Sequence, residues 1–191
     1  MKIALCGAHR SGKTTLAKAF ADRHGIKYLD MSTRSVISSL GLDVSVPLSP
    51  DDRKRLQNRL LAKYAELYRT PGSWVADRSP LDLVAYSLME YPGDDWVDTY
   101  SHDCLRILSY LTHLVYVPST IPVVEDRNKP TASLSSDVRL KNDLLIRGAI
   151  SRFVEERDLS LDLVYMRLNS NMNSVEQRVK QMSIMLQQFS S

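Results

Sequence analysis

Cysteine is nearly absent from this chain. Only Cys6 and Cys104 occur among 191 residues, far apart, which allows at most one bridge and offers no paired metal-ligand spacing. A disulfide scaffold and a zinc fold drop out as expectations. Long apolar runs are missing too: Lys2 to Cys6 meets a glycine too early for a secretory signal, and no other run approaches the roughly 20 residues of a bilayer span. That predicts a soluble, cytoplasmic protein. A large excess of one charge is also lacking, since 25 Lys and Arg face 22 Asp and Glu for a formal charge of +3. This leaves room for an anionic ligand without marking a nucleic-acid binder. There is no internal repeat and no low-complexity segment, and no Ser-His-Asp or Cys-His arrangement has motif support. His102, Asp103 and Cys104 are neighbours on an amphipathic segment, which does not converge them on one ion, so they read as a surface helix.

What is present is the composition of a globular domain, 43% hydrophobic and 25% charged, long enough for a sizeable core. Strand-length apolar runs stand at Lys2 to Cys6, Trp74 to Ala76, Leu114 to Val117 and Leu163 to Leu168, with a weaker one at Ile26 to Leu29. Amphipathic segments separate them, and the alternation predicts an α/β fold, a parallel sheet with helices on both faces. Ser49-Pro50-Asp51-Asp52 supplies an N-cap, a proline at the first helical position and acids for the positive dipole end. Ser79-Pro80-Leu81-Asp82 repeats the device and predicts a helix to about Glu90, while Val175, Val179, Met182, Leu186 and Phe189 form the apolar stripe of a last helix. Arg53 and Arg59 belong to a solvated helix face or meet an anionic acceptor.

Gly7-Ala8-His9-Arg10-Ser11-Gly12-Lys13-Thr14 has the phosphate-loop spacing and sits between a predicted strand and helix. By chance it arises in about one chain in a hundred of this length, before that context is demanded. Glycines let the backbone turn its N–H groups inward at a β-phosphate, and the helix N-terminus adds its dipole. The cofactor-binding set is therefore Gly7, Ala8, His9, Arg10, Ser11, Gly12, Lys13, Thr14 and Thr15, for ATP with Mg²⁺. Lys13 reaches the β- and γ-oxygens, and the Thr14 hydroxyl is placed to ligate the metal. His9 and Arg10 occupy unconstrained positions, so their side chains either face solvent or, for Arg10, meet a phosphate.

Trp74-Val75-Ala76 runs into Asp77-Arg78-Ser79, which puts Asp77 at the carboxyl edge of the sheet, where ligands bind. Asp77 there holds a Mg²⁺-bound water or orients an acceptor hydroxyl, and Arg78 suits a phosphate or an anionic transition state. The alternative is an Asp–Arg pair that caps the next helix.

These residues resemble the P-loop nucleoside and nucleotide kinases, in which a phosphate loop is followed by an Asp/Glu-Arg-Ser/Tyr strand end. Through Gly7 to Thr15, Asp77 to Asp82 and the segment Pro122 to Pro130, the chain is also similar to small phage-encoded P-loop proteins that include hydroxymethyluridine DNA kinases. The resemblance implies one P-loop kinase domain over 1–191, a three-layer fold and five parallel strands in the order 2-3-1-4-5. It implies transfer of the ATP γ-phosphoryl group to a deoxynucleoside, a nucleotide or a modified pyrimidine in DNA. The competing class is a nucleotide-dependent switch or motor ATPase. The family's Glu-Pro pair after strand two is absent, and Tyr28-Leu29-Asp30-Met31-Ser32 stands there. Asp30 is either the base in place of that glutamate or a turn residue capping the next helix. A lid is expected over 118–147, with Arg127 in the polar stretch Glu125 to Pro130 and a helical run from Ser136 to Glu156. The alternative is a solvated surface loop.

Overall fold

The computed structural model describes residues 1–43, 45–119, 136–155 and 163–188. Five strands, β1 (Lys2–Cys6), β2 (Lys27–Leu29), β3 (Trp74–Ala76), β4 (His113–Tyr116) and β5 (Val164–Arg167), form one sheet in the order β2-β3-β1-β4-β5. All four pairings are parallel, with Ala4 level with Ala76 on one side and with Leu114 on the other. The predicted strands are all present, with ends shifted by a residue or two where apolar sequence runs past the ladder.

Among the described residues seven α-helices surround the sheet: α1 (Lys13–His24), α2 (Arg34–Ser39), α3 (Pro50–Tyr68), α4 (Pro80–Glu90), α5 (Asp95–Leu108), α6 (Ser136–Ile150) and α7 (Val175–Gln188). The two-residue alternation of a strand sorts β1 between two cores. Ile3 and Leu5 join Leu16, Phe20, Val179 and Met182 beneath α1 and α7, while Ala4 and Cys6 join Tyr64, Tyr68, Leu81 and Leu108 beneath α3, α4 and α5. Burial on both faces explains why β1 reads as continuous apolar sequence rather than an alternating pattern.

The caps behave as their residue types dictate. The Ser49 hydroxyl accepts the Asp52 N–H at 3.1 Å with Pro50 in the first turn of α3, and Asp94 accepts the Trp96 N–H at 2.9 Å to start α5. His102 and Asp103 are exposed on α5 and Cys104 is buried beneath it. Among the described residues no group of three or more His, Cys, Asp or Glu could hold a metal ion, and no helix is long and apolar enough to cross a membrane. The helical run after Ser136 appears as α6 followed by a π-helical turn, Ser151–Glu155. Phe189 and the expected lid residues 120–135, Arg127 among them, lie outside the described residues; of the rest of the lid range, Pro118 and Ser119 follow β4 and 136–147 belongs to α6, which packs on α4.

Candidate active site

β1 ends in the middle of the sheet, next to where strand order reverses, so the loop after Cys6 opens onto the crevice that such sheets offer to ligands. Gly7 has φ +146°, and a Cβ there would stand 2.4 Å from the Val117 carbonyl oxygen. Only glycine lets the loop leave β1 so close to the end of β4. Gly12 at φ +86° turns the chain into α1, whose first residue is Lys13. Between them Arg10 holds φ +62°, a left-handed conformation unusual for a side-chain-bearing residue. Its two terminal guanidinium nitrogens are buried with no hydrogen-bond partner among the described residues, and the same holds for the Ser11 hydroxyl.

Lys13 is buried, and its ammonium donates to the carbonyls of Gly7 at 2.6 Å and Ala8 at 2.8 Å, with Asp82 Oδ1 at 3.9 Å. Burial lowers its pKa and the Asp82 charge works in the opposite direction. His9 is pushed down to about 3 by burial and then by the cations of Arg78, Lys13 and Arg10, so the imidazole is neutral at physiological pH. Thr14 and Thr15 are exposed in the first turn of α1.

Asp77, at the end of β3, is 4% exposed. Its Oδ2 accepts the Thr14 hydroxyl at 2.7 Å and the Tyr28 hydroxyl at 3.0 Å, and its Oδ1 accepts the Met31 N–H at 3.2 Å. The carboxylate thus joins the ends of β2 and β3 to the phosphate loop. Burial and then the Asp77 charge raise the Tyr28 pKa, keeping it a donor. Asp30 is exposed instead, and its Oδ1 accepts the Ser32 N–H at 2.8 Å in the turn before α2.

Beside the loop lies a cavity of about 440 Å³ with the Lys13, Arg78 and Asp82 side chains on one wall. Apolar side chains of α2, α3 and α4 (Ile37, Leu56, Leu60 and Leu83) form much of the remainder. Gln57, Tyr86, Asn142, Thr33 and the neutral His9 are its uncharged polar groups, and Arg34 of α2 also lines it. The Tyr100 hydroxyl contacts the Gln57 backbone oxygen at 3.0 Å and its Oε1 at 3.2 Å, which anchors that amide from behind. A second cavity of about 460 Å³ shares Thr33, Ile37, Leu56, Gln57 and Tyr86 and reaches Arg53, which pairs with Glu90 at 2.6 Å. Arg59 is exposed on α3.

Sequence reasoning missed several of these groups. Asp82 was legible as a helix cap, and its Oδ2 does accept the Ser79 N–H and hydroxyl, both at 2.8 Å. Its Oδ1 meanwhile accepts the Gly7 N–H at 3.3 Å, a contact no local pattern announces. Arg178 of α7 is 1% exposed and donates to Ser11 O at 2.8 Å and Met172 O at 3.0 Å, so the last helix buttresses the phosphate loop.

A family model described as an AAA domain matches residues 2–160. The chain belongs to that family. No curated protein matches the sequence of this AAA domain. Among solved structures it is similar to deoxyadenosine kinase from M. mycoides with bound dCTP, at 12% identity and a TM-score of 0.67 over 98% of this chain and 100% of that one. Shikimate kinase from Acinetobacter baumannii in complex with shikimate follows, at 14% identity and a TM-score of 0.63 over 98% and 93%. Thymidylate kinase from Candida albicans superposes at 16% identity and a TM-score of 0.59 over 99% and 92%. At such identities the likeness is one of fold: this AAA domain has the three-layer P-loop kinase architecture, with its five parallel strands in the 2-3-1-4-5 order.

Proposed function

We propose that this AAA domain is an ATP-dependent phosphotransferase that moves the γ-phosphoryl group to a hydroxyl or phosphate of a deoxynucleoside or nucleotide, in a cytoplasmic setting. A modified pyrimidine in DNA, such as 5-hydroxymethyluridine of phage DNA, is the narrower acceptor within this reading. One observation supports it above the rest: a partly enclosed cavity of nucleoside-like size opens directly onto Lys13 of the phosphate loop. A switch needs no such second chamber, whereas a transferase must hold an acceptor in line with the donor phosphate. The kinase architecture of the structural neighbours points the same way.

The residues present fit ATP with Mg²⁺. Buried, unpartnered guanidinium nitrogens of Arg10 inside the loop suit phosphate oxygens, and the Thr14 hydroxyl with the Asp77 carboxylate is a hard-oxygen pair of the kind Mg²⁺ takes together with water and phosphate. When bound, the ion neutralises charge on the β- and γ-phosphates. Lys13 turns its ammonium to the γ-phosphate oxygens and supports the charge that builds there. Arg78 stands on the cavity wall, where Tyr64, Asp82 and Asp77 more than offset burial and keep its guanidinium charged, ready for the acceptor side or the transferring group. Arg127, outside the described residues, keeps the role that the sequence suggests for it, in a lid that would exclude water. Asp77 orders the metal edge, whereas Asp30 holds the turn before α2 through the Ser32 N–H.

The test is labelled ATP with deoxynucleosides, their monophosphates and hydroxymethylpyrimidine-containing DNA. One acceptor class should gain label, and Lys13→Ala should cut transfer about 100- to 1,000-fold. The AAA domain description keeps a second reading, acceptor-independent ATP hydrolysis by a switch or motor. Rapid hydrolysis with no acceptor ever labelled establishes that class instead.

A further inference from the structure

Several carboxylates gather near the carboxyl edge of the sheet or the cavities beside it, and their surroundings separate them; Asp143 of α6 is held by the Tyr116 hydroxyl at 2.7 Å. Asp77 is fully occupied by Thr14, Tyr28 and Met31 and does not line the acceptor cavity. Asp30 is exposed in its turn with Ser32, and Glu90 lies in the outer cavity paired to Arg53. Among the described residues, Asp82 is the one carboxylate on the wall of the inner cavity, where Lys13 also stands. One of its oxygens, Oδ2, is committed to the Ser79 cap. The other, Oδ1, holds only a long bond from the Gly7 N–H at 3.3 Å and the Lys13 ammonium at 3.9 Å.

That second oxygen faces a counter-ion with another destination. Phosphate oxygens seated in the loop compete for the Lys13 ammonium, and a charge-assisted bond to phosphate is stronger than one to the loop's own carbonyls. We propose that Asp82 is the acceptor-side base of this site: when the donor phosphate draws Lys13 away, Oδ1 is released to take the proton of an acceptor hydroxyl. The inference rests on the phosphotransferase reading and narrows its acceptor to an alcohol. The acceptor oxygen forms a bond to the γ-phosphorus while the bond from that phosphorus to the β,γ-bridging oxygen breaks. ADP leaves with that electron pair. The hydroxyl proton sits on Asp82 and passes to water when the products depart and Lys13 returns.

The neighbourhood supports this sequence of events. Burial raises the Asp82 pKa, and the Lys13 charge and the Ser79 bonds restrain the rise. Removing the lysine from its side therefore raises proton affinity further, so the donor itself switches on the base. The other groups that face Asp82 are Arg78 in the turn before α4, Cys6 at the end of β1, and Tyr64 and Tyr68 of α3. Burial pushes the thiol and both phenols up, so none of these competes as a base near neutral pH. Arg78 remains as a fixed cation that keeps the ionised form accessible.

Two measurements test the proposal on wild type, Asp82→Asn, Asp30→Asn and Ser79→Ala. In the first, a non-hydrolysable ATP analogue is titrated calorimetrically in buffers of different ionisation enthalpy. Wild type should take up roughly 0.2–0.5 proton more than Asp82→Asn at a pH near the shifted ionisation. In the second, kcat is followed against pH with the deoxynucleoside that accepts label. Asp82→Asn should lose about 100-fold or more in kcat and the ascending limb of the profile. Ser79→Ala, which weakens the cap and removes one bond to Asp82 Oδ2, should lower Tm and move the limb to higher pH, yet keep the limb itself and a proton uptake on donor binding. The proposal is overturned if Asp82→Asn merely mirrors Ser79→Ala, or if the limb disappears in Asp30→Asn instead. Label on monophosphates alone overturns the alcohol acceptor and leaves the phosphotransferase standing. Label on no acceptor removes the phosphotransferase reading and this base with it.

Discussion

Arg10 sets stability against donor binding at a single residue. A left-handed conformation costs a side-chain-bearing residue about 1–2 kcal/mol, and Arg10 sits at φ +62° with two guanidinium nitrogens buried and unpartnered among the described residues. Arg10→Gly removes both penalties. The glycine gives back about 0.5–1 kcal/mol through its freer unfolded state, while relieving the unpaired donors returns about 1 kcal/mol or more. The net gain is about 1–2 kcal/mol, which for a domain of this length raises Tm by roughly 2–8 °C. The same nitrogens are the donors a phosphate would find, and losing such charge-assisted bonds should weaken ATP binding about 10- to 100-fold. Arg10→Ala separates the contributions, because it discards the guanidinium but keeps the left-handed strain; it should bind ATP as weakly as the glycine variant and melt below it. Differential scanning calorimetry and titration with a fluorescent ATP analogue read both effects. A glycine variant that melts below wild type and binds the analogue equally well refutes the reasoning.

Asp77→Asn keeps the shape of a group that accepts from Thr14, Tyr28 and Met31 but loses its charge; kcat should fall at least tenfold more than its modest Tm change accounts for, and an early melt with normal transfer would make the acid purely a structural tie. Arg178→Met strips the donors from Ser11 O and Met172 O at a site 1% exposed, so urea unfolding should show a loss of about 1–3 kcal/mol and the donor KM should rise while acceptor KM stays level. His9 gives a pH prediction whose sign follows from its lowered pKa of about 3. Between that value and the unfolded imidazole's about 6.5 the unfolded chain binds the extra proton, so stability rises with pH through this window and is lost as pH falls. Urea midpoints from pH 7 to pH 4 should show a slope approaching 1.4 kcal/mol per pH unit from this residue, flattened in His9→Gln.

The local chemistry of the chain was written in its sequence. Apolar runs bounded by turns announced β1, β3 and β4, because burial on both faces leaves a strand few polar positions; the edge strands β2 and β5 were legible from runs that keep exposed Lys27 and Arg167. Ser49-Pro50 and Ser79-Pro80 announced α3 and α4, because a cap satisfies its helix within three residues. The phosphate loop was legible for the same reason: its glycines, lysine and hydroxyl act on one ligand from contiguous backbone. Contacts between distant segments were not legible. Nothing near Arg178 in sequence points to Ser11, and nothing near Gln57 points to Tyr100. Asp82 shows the division within one carboxylate. The oxygen that caps α4 follows from a three-residue spacing, whereas the oxygen beside Gly7 and Lys13 depends on β1 and β3 lying side by side in register. Short-range hydrogen bonding fixes what a few neighbouring residues do, but which side chains share a cavity is decided only when the sheet closes and α2, α3, α4 and α6 pack around its edge.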